Sequence, residues 1–121
     1  MSYTFEQLKD DVRKEAEALK IHATKEERER LDYETMIPSH CKKDIYGQMT
    51  GDFDNARATE LKQKCAPVFV DGDVQDFEAI GVHECFTDFS WSPIEYYELC
   101  AEANNANLIS YLRGETETLD L

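Results

Sequence analysis

Apolar residues recur at helical spacing from the start of the chain. Phe5, Leu8, Val12, Ala16 and Leu19 fall on one stripe, and Glu6, Lys9, Asp10, Arg13, Lys14 and Glu17 fall opposite, which predicts an amphipathic helix burying one face. Thr4, with Gln7 three residues on, supplies a capping box at its start. A second capping box, Thr24 with Glu27, opens the run 25–30, in which acidic and basic side chains alternate. Such a run reads as a solvated helix laced with opposite charges, so Leu31 and Tyr33 have to anchor it. Pro38 then ends regular structure, because the residue before a proline is pushed out of the helical region.

The least generic stretch is Ile45-Tyr46-Gly47-Gln48-Met49-Thr50-Gly51-Asp52. Its two glycines predict a compact turn with positive φ or a close backbone approach. Asp52 or Asp54 is placed to cap a following helix through Ala56, Leu61 and Cys65. After Pro67 the pattern shifts: Val68-Phe69-Val70 and the run 82–89 are β-prone, with Val74, Phe77 and Ile80 spaced for a short helix between them. Ser92-Pro93-Ile94-Glu95 combines an N-cap, a proline at the first helical position and a capping-box glutamate. The helix it opens runs through Tyr96, Tyr97, Leu99 and Cys100 and loosens at Asn104-Asn105. Leu108, Ile109 and Leu112 add a last turn or two, closed by Gly114. Leu119 and Leu121 of the acidic tail 115–121 are placed to dock back. The expected fold is a mainly α, single compact domain over residues 1–121, with room for a short two-stranded element around 67–70 and 82–89.

Composition sharpens this picture. At 121 residues and 41% hydrophobic, the chain can bury one core without staples. The net charge of −13 is unevenly placed: residues 1–65 hold 14 acidic and 12 basic side chains, whereas residues 66–121 hold 12 acidic ones and the single cation Arg113. Such a half-chain repels nucleic acid and anionic membranes and attracts basic surfaces. The opening residues lack the apolar core of a secretory signal, and no run has the length of a membrane span. A cytoplasmic location and reduced thiols at Cys41, Cys65, Cys85 and Cys100 are the expectation.

Several chemistries find poor support. No lysine follows Gly51 as a phosphate-cradling loop requires. The carboxylate-rich stretch 71–82 ends on Val82 where a calcium-binding loop needs glutamate. His40, Cys41, His83 and Cys85 are donors of the type zinc takes, without the short Cys-x2-Cys or His-x3-His spacing of a knuckle. Cys85 with His83 lacks any visible oxyanion hole or orienting group for thiol catalysis. Cys65 and Cys100 sit in phase with apolar positions and read as small hydrophobes. No cofactor and no catalytic residue is expected.

Ile45-Tyr46-Gly47-Gln48-Met49-Thr50-Gly51, with Leu108-Ile109-Ser110-Tyr111-Leu112-Arg113-Gly114-Glu115 near the end, resembles a group of short bacteriophage and gut-bacterial proteins of no assigned activity. The resemblance implies a phage or mobile-element origin, hence action in a host cytoplasm. The remaining signal is the pairing of carboxylates with aromatics. Asp73, Asp76, Glu78, Glu84, Asp88, Trp91, Glu95, Tyr96, Glu98 and Glu102 form a candidate protein-binding face, with rings as anchors and charge as steering. The expected partner is a basic protein surface, such as the groove of a nucleic-acid-binding enzyme, blocked as an anti-CRISPR or DNA-mimic inhibitor would block it, with no direct contact to nucleic acid. The alternative expectation is a zinc-stabilised interaction module without catalytic activity.

Overall fold

A computed structural model describes residues 4–37, 40–71, 90–100 and 105–121. The architecture is mainly helical: α1 (Phe5–His22), α2 (Lys25–Glu29), a 3-10 turn (Tyr33–Thr35), α3 (Ile45–Thr50), α4 (Ala56–Cys65), α5 (Pro93–Cys100) and α6 (Asn105–Arg113). A two-residue antiparallel pair, β1 (Val70–Asp71) with β2 (Ser90–Trp91), joins Val70 to Trp91 and Asp71 to Ser90. The pairing thus lies slightly beyond the expected 67–70, and the expected short helix around 74–80 and strand 82–89 lie outside the described residues.

The long helix α1 is the spine. Leu8, Val12, Ala16 and Leu19 are fully buried along one stripe, and α4, α5 and α6 pack against it. Both N-terminal capping boxes form: Thr4 and Gln7 exchange hydrogen bonds, as do Thr24 and Glu27. Ser92 and Glu95 do the same at the start of α5. Each pair satisfies backbone N–H groups that a helix start leaves without partners. Gly114 closes α6 with φ +83°, and Leu119 and Leu121 fold back onto the core.

Three local expectations are corrected. Ile45–Thr50 is a helix rather than a turn; Asp44 caps it by accepting from Gly47 N at 2.6 Å, and Gly51 ends it in the left-handed region. Asn55, not Asp52 or Asp54, caps α4. Tyr33 is 43% exposed rather than buried, which leaves Leu31 as the buried anchor. The run 25–30 is also more than a wet face. Arg28 Nη1 donates to Leu112 O at 3.0 Å, and Arg30 Nη1 donates to Met49 O at 2.9 Å. Arg113 answers from α6, donating to Glu29 O and Leu31 O. These guanidinium groups satisfy carbonyls at helix ends, where cations are also favoured by the dipole.

Candidate functional site

Four carboxyl side chains meet where α1, α3 and α5 converge. Glu15, Asp44, Glu95 and Glu98 are each at most 5% exposed. Glu15 lies on the apolar stripe of α1, three residues after Val12, so the helix has to carry it inward. Helix α5 is buried from Pro93 through Glu98 without a wet face, so its glutamates have nowhere else to go.

Hydrogen bonds accommodate the group. The Tyr46 hydroxyl donates to Glu15 Oε2, and Ile94 N donates to Glu15 Oε1 at 2.8 Å. Ile45 N donates to both oxygens of Glu98, at 3.2 and 3.3 Å. Glu95 Oε1 accepts from Ser92 N at 3.0 Å, while its Oε2 lies 2.8 Å from Lys62 Nζ. That pairing is by charge, since Oε2 accepts no aligned hydrogen bond. Lys62 also lies over the rings of Tyr46 and Phe53 and donates to Phe53 O. It is the cation that contacts this carboxyl cluster among the described residues.

Burial drives the protonation equilibria. It lifts Glu15 to about 7, against the hydrogen bonds from Tyr46 and Ile94. It also lifts Asp44 to about 7, with the Glu95 charge adding to the rise and Lys62 opposing it. Glu98 is pushed well above the ordinary carboxylate range, by burial first and by the neighbouring Asp44 second. The Tyr46 hydroxyl rises for the same reason, with Glu15 beside it. Buried like charges cannot all ionise together, so this burial favours the protonated form of Glu15, Asp44 and Glu98.

Glu27 is the opposite case. Arg57 grips it with Nη2 to Oε1 at 2.7 Å and Nε to Oε2 at 2.8 Å. This fork holds the Glu27 carboxyl down at about 2.

The structure therefore corrects three of the residues expected on a partner-binding face. Glu95, Tyr96 and Glu98 are interior; Tyr96 packs in the core, and the two glutamates belong to the carboxyl cluster. Trp91 is half-buried and stacks on Phe53, with ring centroids 6.3 Å apart and planes at 16°. Asp73, Asp76, Glu78, Glu84, Asp88 and Glu102 lie outside the described residues, as do His83 and Cys85. Of the remaining zinc candidates, His40 Nδ1 accepts from Lys42 N at 3.1 Å, and Cys41 is half-buried with a free thiol. No cluster of three or more metal-ligating side chains occurs among the described residues. Cys65 is buried, and burial lifts its thiol to about 11, in keeping with a small hydrophobe.

Sequence reasoning missed the cluster, although the signal was present. Glu15 breaks the apolar stripe, and Asp44 stands at a cap position before Ile45.

One further feature is open to solvent. A cleft of about 520 Å³ lies between residues 29–34 and α6. Its lining includes Glu29, Asp32, Glu34, Glu115 and Tyr33 together with Arg30, which donates to Met49 O, and Arg113, which is held by backbone carbonyls and Glu115. No helix among the described residues is long and apolar enough to cross a membrane. No protein-family model, curated protein or solved structure matches this chain.

Proposed function

We propose that this chain is a non-catalytic protein-binding protein that engages a basic surface on its partner. The observation that carries the reading is the segment between the paired strands. Residues 72–89 contain Asp73, Asp76, Glu78, Glu84 and Asp88 and neither lysine nor arginine, while β1 and β2 hold the two ends side by side. A run of carboxylates without cations of its own attracts basic groups from outside the run. The cleft lined in part by Glu29, Asp32, Glu34 and Glu115 adds further carboxylates to the acidic side of the molecule.

The sharper form of the proposal is a phage-encoded inhibitor that fills the nucleic-acid groove of a host enzyme, in line with the resemblance of the 45–51 and 108–115 segments. Such grooves are built from Lys and Arg, and spaced carboxylates can occupy the positions phosphates would take.

The test is capture of partners from a host lysate at low and moderate salt. A variant with Asp73, Asp76 and Asp88 changed to Asn and Glu78 and Glu84 to Gln is run in parallel. The reading requires a basic protein that binds the wild type, is released steeply by salt, and is lost with the variant. Binding that is indifferent to both the salt and the five substitutions overturns it.

A further inference from the structure

The buried carboxyls lie exactly between helices, not along one of them. Glu15 comes from α1, Asp44 from the start of α3, and Glu95 and Glu98 from α5. Facing them are Tyr46 from α3, Lys62 and the Cys65 thiol from α4, Asp52 from the turn after α3, Ser92 before α5, and the neutral amide of Asn105 from α6, which donates to Glu98 O at 2.9 Å. Lys62 pairs with Glu95. Glu15, Asp44 and Glu98 accept hydrogen bonds from neutral donors, Tyr46, Ile94 and Ser92 for the first, Gly47 for the second and Ile45 for the third, and the Lys62 charge reaches Asp44 only at a distance beyond an ion pair.

We propose that this junction is a proton-operated clasp, in which protonation of Glu15, Asp44 and Glu98 lets α5 seat against α1 and α3, and loss of those protons loosens α5. With the protons in place, each carboxyl is neutral and its hydrogen bonds cost no charge burial. When they leave, two or three carboxylates share a space out of reach of water, and they are not matched in number by cations. The strain falls between α5, which carries Glu98, and the elements that carry Glu15 and Asp44. The element directly before α5 is β2, so the proton state also bears on its pairing with β1.

The direction agrees with the protonation equilibria above: groups raised by folding bind protons more tightly in the folded chain than in the unfolded one, so stability falls as pH rises through their folded values. The test is urea unfolding of the wild type, Glu98→Gln and Glu15→Gln between about pH 5 and pH 9. For each proton released, the folding equilibrium constant of the wild type should fall about tenfold per pH unit. Each variant should lose roughly one proton's worth of that slope. The variants separate the clasp from the exposed imidazoles of His22 and His40, which neither substitution touches. A wild-type profile that is flat over this range, or a slope that neither variant reduces, overturns the proposal. Carboxyl-carbon NMR titration of the wild type decides independently if a variant does not fold. At least two carboxyls should titrate above about pH 6, and their absence overturns the clasp.

Discussion

Tyr46 gives its hydroxyl to Glu15 in a place that is fully buried on both sides. Removing one partner of such a pair leaves the other unsatisfied, which costs more than the net worth of the bond. Tyr46→Phe is therefore expected to lower stability by about 1–3 kcal/mol at neutral pH, measured as a shift in urea midpoint without a change in slope. Ile21→Ser, at a side chain 78% exposed, should stay within about 0.5 kcal/mol of the parent. At this scale the sequence was half legible. The buried apolar residues of α1 follow from spacing alone, since Leu8, Val12, Ala16 and Leu19 share one face. The burial of Glu95 and Glu98 does not, because a glutamate in a short helix is ordinarily a surface residue. Only the packing of α5 on all sides, a long-range fact, takes it inside.

Among the elements, α3 depends most on its glycines. A methyl group on Gly47 would stand 2.6 Å from Cys41 O and 2.7 Å from the Lys42 carbonyl carbon, and neither backbone atom can swing aside. Gly47→Ala should cost about 1–3 kcal/mol through this overpacking, seen in thermal or urea unfolding. At Gly51 there is room for the methyl, but φ is +101°. Gly51→Ala should therefore cost less, about 1 kcal/mol, from the left-handed backbone alone. Comparing the two variants separates crowding from backbone strain within a single helix. The glycine spacing predicts a positive φ or a close approach within a turn; the structure has a close approach at Gly47 and a positive φ at Gly51, in the interior and at the end of a helix. Six residues show too little periodicity to tell a short helix from a turn, and the deciding signal was Asp44 as cap. The capping boxes at Thr4, Thr24 and Ser92 were legible because their chemistry is local. The arginine ties between α2 and α6 were not, because Arg28 and Arg113 are 85 positions apart in the chain and meet only after folding.

For the whole molecule, two sets of carboxyls pull the pH dependence in opposite directions. Glu27, held at about 2 by Arg57, contributes stability that is present above its unfolded value and lost as pH falls through about 2. Glu15 and Asp44, each lifted to about 7, contribute stability that is present below their unfolded values and lost as pH rises through about 7. The stability maximum is therefore expected at roughly pH 4, near the unfolded carboxylate values, and a series of urea titrations across pH would locate it. A maximum above neutrality would contradict the assignment of the buried carboxyls.

The register of β1 and β2 has a practical consequence. With Val70 opposite Trp91 and Asp71 opposite Ser90, residues 72–89 leave and re-enter the body at neighbouring points. A two-residue Asn-Gly connection has the right length and hand to link such ends. Replacing the stretch by that turn should leave the helical body standing while removing five negative charges, which would turn the segment into an exchangeable cassette. If the shortened chain keeps its cooperative unfolding but no longer captures a basic partner, recognition and architecture in this protein are separable parts.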